Sequence, residues 1–285
     1  MHPDDRRSLE QAVRLLEYPT YAARLSEYIG MPVEKAVALL PGAWHRSLSD
    51  ITEDAIRKSL EFSIRTLGAG KKSLSGDLRH RAMAVATGGV SGLFGVPALA
   101  VELPVTTTII LRSIADIGRS EGESLRTPES RLACMEVFAL GTGSEDAAAV
   151  DAGYFAVRAA LARSLSDAAS FVAATSLFDG TAPVIVRIAA RIASRYGLFV
   201  SQRFAAQAIP LIGALAGGGV NLLFITHFQN MARGHFIVRR LERSYGAETV
   251  LGLYLDALER LETRSDVRPR KRGPDAGGTA GRKSR

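Results

Sequence analysis

Cysteine is almost absent. Cys134 stands alone in 285 residues, which excludes an internal disulfide and a cysteine-built metal site. It lies in the apolar, helix-periodic run "RLACMEVFAL" and reads as core packing rather than as a nucleophile. Alternating apolar and polar residues are missing too, so no strand is expected. The opening "MHPDDRRSLEQAVRLLEYP" has no continuous apolar stretch of the kind a secretory signal needs, and a cytoplasmic location follows as the expectation. Nucleotide signatures are missing as well. "LGAGKKSLSG" at 67–76 only superficially suggests a phosphate loop: Arg65 stands where its first glycine belongs, and Lys72 where serine or threonine is needed. No GxGxxG, GxSxG or HExxH occurs. His227 and His235 are eight residues apart, with no acid or cysteine between them, so no metal and no cofactor is expected.

Charge is scarce where it matters most. From Ala82 to Val101 there is none, and from Leu103 to Leu111 there is none, so Glu102 stands alone between them. The net charge of +7 is also unevenly placed. Eight Lys and Arg against Asp266 and Asp275 put six of those seven charges into residues 264–285. That segment, rich in glycine and proline with Val267 its only sizeable apolar side chain, is expected to be a disordered basic tail. Its charge suits anionic lipid head groups. No aromatic residue interleaves it, and specific nucleic-acid reading is not expected.

Helical periodicity fills the rest. Ile51, Ala55, Ile56, Leu60, Ile64 and Leu67 form one apolar stripe. Pro32 opens a helix towards Leu40, and Thr127 caps one that begins at Pro128 and ends near Leu140. Ser144 caps an alanine-rich helix to about Ser176, Pro183 opens another, and residues 247–263 form a last amphipathic one. The fold class is therefore all-α: a helical bundle in a single domain over 1–263, with the tail at 264–285. Two glycine-rich apolar segments, 82–101 and 204–226, are expected to form central helices packed against each other. Gly88 with Gly92, and Gly213 with Gly217, are spaced by four and let two backbones approach closely. Pro97 and Pro210 interrupt both segments. Buried helices of a soluble core, a hairpin inserted in one leaflet and spanning helices all remain open at this point.

Glu102 precedes Leu103–Pro104, and Pro104 is expected to start the next helix, placing the acid near that helix's positive end. A buried carboxylate must be paired, hydrogen-bonded or protonated. Arg112, Arg158 and Arg203 are its candidate partners. The other reading puts Glu102, Arg112 and Asp116 around a pocket, for a polar ligand or for acid–base chemistry of a hydrolase-like enzyme.

"PALAVELPVTTTIILRSIADIGRSEGE", "PESRLACMEVFALG", "AGYFAVRAALA" and "AIPLIGALAGGGVNLLFITHFQNMARGHFIVRRLERSYG" together resemble the EcsC protein family over about residues 10–260. The resemblance rests on two blocks. One is Glu102, Pro104, Thr106 and Thr107; the other is Pro210, Gly213, Ala214, Gly217, Gly218 and Asn221. It also implies roles for Arg112, Asp116, Tyr154, Arg158 and Arg203. The family takes its name from a gene beside an ABC transporter, and this implies an accessory or regulatory role in bacterial transport or envelope processes. A non-enzymatic protein at the inner face of the membrane is the resulting expectation, acting through anionic lipid or an inner-membrane protein such as an ABC transporter. Glycine faces meeting across subunits would make it a homo-oligomer.

Overall fold

A computed structural model describes residues 1–18, 21–67, 80–83, 96–140, 153–175, 182–208 and 210–263. Helices, α and 3₁₀, account for all of the regular structure among these, and no strand occurs. The helices are α1 (Pro3–Glu17), α2 (Tyr21–Ile29), α3 (Val33–Ala38), α4 (Gly42–Thr66), α5 (Val96–Ser120) and α6 (Pro128–Glu136). After the 3₁₀ turn Val137–Ala139 come α7 (Gly153–Thr175), α8 (Pro183–Ala208), α9 (Pro210–Tyr245) and α10 (Ala247–Thr263). The all-α expectation holds, and Pro32, Pro128 and Pro183 mark helix starts as read. Pro210 also opens a helix, two positions after the described end of α8.

The 36 residues of α9 span about 54 Å at 1.5 Å per residue, and the bundle is arranged around them. α1, α5, α8 and α10 pack along its length, with α2 near its middle. α4 lies across α5 and α8. The centre is aromatic: Phe224 and Phe228 of α9 meet Tyr196 of α8 at ring separations of 5.9 and 5.6 Å, and Phe138 closes on Tyr196 at 5.0 Å. Such tilted and edge-on pairs exceed area burial alone by about 0.5–1.5 kcal/mol each.

Local signals explain the boundaries. Thr127 accepts the Ser130 amide at 3.3 Å through its hydroxyl, and Pro128 occupies the first helical position without an amide to satisfy. Thr127→Ala should cost about 1 kcal/mol of stability, read from the urea midpoint at constant m. The turn between α9 and α10 is made by Gly246, whose φ of 85° is left-handed and whose amide donates to the Glu242 carbonyl at 2.9 Å.

One expectation is corrected here. Pro104 does not start a helix; α5 runs through it from Val96 to Ser120. The proline removes the amide that would bond the Ala100 carbonyl, and the packing of α4 and α9 against α5 keeps the chain helical through it. Glu102 therefore lies inside a helix and gains nothing from a helix N-terminus.

The glycine reading fares differently. Gly88 and Gly92 lie outside the described residues, as does the tail at 264–285. Gly213 and Gly217 lie in the opening turns of α9. Among the glycines whose surroundings are described, close approach occurs at Gly234, where an added Cβ would stand 2.6 Å from Leu16 Cγ, and at Gly118, 3.1 Å from Phe236 Cζ. Among the described residues no helix is long and apolar enough to cross a membrane.

Candidate functional site

Glu102 faces the core. The Arg203 guanidinium reaches its Oε1 through Nη2 at 2.5 Å, Thr106 donates its hydroxyl to the same oxygen, and Asn221 Nδ2 stands at 3.5 Å. Arg203 is 0% and Glu102 7% exposed. Phe224 lies under the guanidinium, 5.1 Å from its carbon. One turn along, Thr107 shares a 3.0 Å hydrogen bond with Tyr196. Of the candidate partners, Arg203 is the one that pairs. The arrangement binds α5, α8 and α9 through one ion pair whose members have almost no access to water.

The other proposed members go elsewhere. Arg112 is exposed and stacks on Phe62, 5.0 Å from the ring centre. Asp116 pairs with Arg119 at 2.8 Å, and Arg119 also donates to the Leu67 carbonyl at 2.7 Å. Glu102 and Asp116 are fourteen positions apart on one helix, about 21 Å along its axis. The hydrolase-like pocket of Glu102, Arg112 and Asp116 is therefore corrected: the carboxylates lie far apart along the helix, and Arg112 and Asp116 are engaged with Phe62 and Arg119.

Tyr154 and Arg158 belong to a second cluster. The Tyr154 hydroxyl lies 3.0 Å from His235 Nδ1, and His235 Nε2 lies 3.7 Å from Glu136 Oε2. Arg158 grips Glu242 through both terminal nitrogens, at 2.8 and 3.1 Å. Behind them Glu17 accepts the Tyr154 amide at 3.0 Å and the Tyr254 hydroxyl at 2.8 Å. Gly153, at φ 60°, carries the chain past that carboxylate without a side chain to obstruct it. Glu136 and Glu17 were not singled out from the sequence, and His235 was weighed there only with His227 as a metal ligand. An acid three residues before the apolar Ala139–Leu140, and a histidine in the otherwise apolar "HFIV", were the available signals.

This second cluster opens to solvent. A groove of 540 Å³ runs between α6, α7, α9 and α10. Leu132, Phe155, Leu165 and Leu251 are among its apolar walls, and Glu136, Arg158, Arg239 and Glu242 line its polar side. Glu129 and Glu248 are exposed at its edge. Both arginines are already engaged, Arg158 with Glu242 and Arg239 with Glu123 at 2.8 Å. Burial pushes the Glu136 carboxyl up to about 7, against the opposing pull of Arg158 and Arg239.

The remaining titratable groups are explained by burial. Cys134 donates weakly to the Ser130 carbonyl at 3.5 Å, and burial pushes its thiol up to about 12, which removes it as a nucleophile. His227 is pushed down to about 3 by burial, among Tyr21, Phe199 and Phe228. His235 is also held well below its usual range, by burial first and then by Arg158 and Arg239. Among the described residues no group of three His, Cys, Asp or Glu side chains could hold a metal ion.

These shifts set two opposed pH limbs. The unfolded chain protonates His227 near 6.5 and the native chain only near 3, so its contribution is complete above 6.5 and lost as pH falls towards 3. Glu136 runs the other way: its proton is kept to about 7 in the native state and released near 4.5 in the unfolded chain. Its contribution is present below 4.5 and lost as pH rises to 7. Urea midpoints should accordingly fall less steeply on acidification in His227→Phe. In Glu136→Gln, stability relative to the parent should rise between pH 4.5 and 7; parallel pH profiles would contradict both assignments.

No curated protein and no solved structure matches the chain. A family model described as the EcsC protein family matches residues 7–241, a span that holds the Glu102 cluster and, of the second cluster, Glu17, Glu136, Tyr154, Arg158 and His235. The two blocks that carried the resemblance lie within this match, and Asn221 from one approaches Glu102 of the other, the carboxylate that Arg203 also reaches. The chain belongs to the EcsC protein family.

Proposed function

We propose that this chain is a non-enzymatic accessory or regulatory protein of bacterial transport or envelope processes, at the inner face of the membrane, and that it holds a basic, amphipathic segment of a membrane protein in the α6/α7/α9/α10 groove. The groove's combination of apolar walls and an acidic rim carries the reading. Its arginines are spent on internal carboxylates, which leaves the exposed Glu129 and Glu248 to meet a partner. Leu251 and Leu255, 38% and 53% exposed, extend the apolar surface along α10. Membrane proteins carry their excess Lys and Arg on cytoplasmic juxtamembrane segments, so such segments match the groove in charge and in amphipathicity.

The test is fluorescence anisotropy with a labelled leucine–lysine helical peptide about five turns long. Binding should weaken as salt rises, because the rim carboxylates are screened at the surface. Leu251→Asp and Glu248→Lys should each weaken it about tenfold. Equal affinity in both variants and the parent would remove the groove from the account.

A second reading is favoured by one observation. Glu136 lies at an open groove with its carboxyl pushed up to about 7, which suits a general acid or base. A hydrolytic activity abolished by Glu136→Gln, with peptide binding intact, would favour that reading over docking alone.

A further inference from the structure

Beyond Thr263 the sequence continues for 22 residues, and their charge complements the surface that α10 presents. Arg268, Arg270, Lys271 and Arg272 put four cations into five positions. On α10, Glu248, Glu259 and Glu262 share one face with Leu251 and Leu255, at helical spacings of three, four and seven. All five side chains are exposed, and no cation pairs with the three carboxylates among the described residues. This acidic and apolar stripe runs from the end of α10 to the rim of the 540 Å³ groove, which Glu248 and Leu251 line together with Glu129 of α6. Length permits the return. Glu248 lies fifteen positions before Thr263, about 22 Å back along the helix axis. Arg268 to Arg272 stand five to nine positions after it, which an extended chain spans in about 17–32 Å. Arginine and lysine stems lie along apolar surface while their charged heads reach carboxylates, so one basic run suits both the leucines and the acids of the stripe.

We infer that residues 264–285 occupy the acidic rim of the α6/α7/α9/α10 groove in cis, through Arg268–Arg272 on Glu248 and Glu129, and so compete with the basic segment of a membrane protein proposed above. The inference rests on that reading for the identity of the competitor, not for the contact itself. Exposed ion pairs are individually weak, but a segment on the same chain acts at an effective concentration of about a millimolar. A contact of about 0.2 mM strength is thereby made about five-sixths of the time, and it weakens an outside ligand about sixfold. Screening releases the tail and weakens the ligand together, so the tail makes the salt dependence of ligand binding shallower.

The experiment uses the full chain and a quadruple variant, Arg268→Gln/Arg270→Gln/Lys271→Gln/Arg272→Gln, whose changes all follow the last helix. Ala276→Cys is added to both to carry a nitroxide label; Cys134, 0% exposed and with its thiol pushed up to about 12, stays unlabelled. Paramagnetic broadening of the Leu165 and Leu251 methyls, which line the groove from α7 and α10, reads the contact. Anisotropy with the leucine–lysine peptide reads the competition. Broadening in the parent that is lost in the quadruple variant, with the variant binding the peptide about threefold to tenfold more tightly and with a steeper salt dependence, supports the inference. Broadening without peptide binding by either protein supports the contact and overturns the membrane-segment reading instead. Absence of broadening in the parent, or peptide bound equally tightly by the two proteins, overturns the inference, whereas loss of peptide binding in Leu251→Asp leaves the groove reading standing. Broadening seen only when spin-labelled and methyl-labelled chains are mixed puts the tail of a second copy in the groove, and overturns the inference too.

Discussion

Glu102→Leu should be among the most destabilising single substitutions in the chain, at about 3–5 kcal/mol. It leaves the Arg203 guanidinium, with no exposed surface of its own, without the carboxylate it donates to at 2.5 Å. Arginine cannot shed its proton to escape. Arg203→Met should be milder at low pH, because the stranded carboxylate can take up a proton and become neutral. Its cost should therefore grow as pH rises, whereas that of Glu102→Leu should stay level. The double variant Glu102→Leu/Arg203→Met removes both charges and their desolvation penalty together. It should recover most of the loss, since apolar replacements of a buried pair are often neutral or stabilising. Urea unfolding of the four proteins at two pH values measures all of this as one cycle. Additive losses would mean that the two side chains act independently, and the brace would then be no brace.

Gly234→Ala should be the second large effect, and it runs against local propensity. Within a helix, alanine is preferred to glycine by about 1 kcal/mol, and α9 extends eleven residues beyond Gly234 to Tyr245. The new Cβ would nevertheless stand 2.6 Å from Leu16 Cγ and 3.0 Å from Leu16 Cδ2. Leu16 is 5% exposed and packed in the α1–α9 interface, so it has little room to move. Overpacking of this kind costs about 1–3 kcal/mol, and we expect a net loss despite the gain in propensity. Leu16→Ala alone opens a cavity, at about 2–5 kcal/mol. The two together should cost clearly less than their sum, because the new methyl occupies part of the space the leucine leaves. Chemical denaturation of the singles and the double reads the coupling. Gly252, with nothing within 4 Å of an added Cβ, is the control at which alanine should stabilise.

What could be read from the sequence was what local rules decide. Thr127 and Pro128 announce a helix start because capping chemistry depends only on neighbours, and the structure shows that cap. The need of Glu102 for a cation was legible for the same reason: no neighbour could neutralise it. Which arginine would serve was not, since Arg203 is 101 positions away on a helix that tertiary packing brings alongside. Pro104 misled because its missing amide argues for a helix start, while the tertiary contacts of α5 with α4 and α9 keep it inside one. Glycines at four-residue spacing drew attention to Gly213 and Gly217; the isolated Gly118 and Gly234, which that rule does not mark, are also points of close contact. An isolated glycine in the interior of an uninterrupted helical run was the signal there. The groove needed four helices to assemble, so Glu136 gave no sign of its surroundings until α7 and α10 were in place.

The account separates a closed brace at Glu102 from an open groove at Leu251. The most direct measurement compares the affinity of the leucine–lysine peptide for two folded variants, Glu102→Leu/Arg203→Met and Leu251→Asp. The brace variant should bind within about twofold of the parent, and the groove variant about tenfold more weakly. Loss of binding on removal of the buried pair, with the groove variant unaffected, would contradict the account and return the functional site to Glu102.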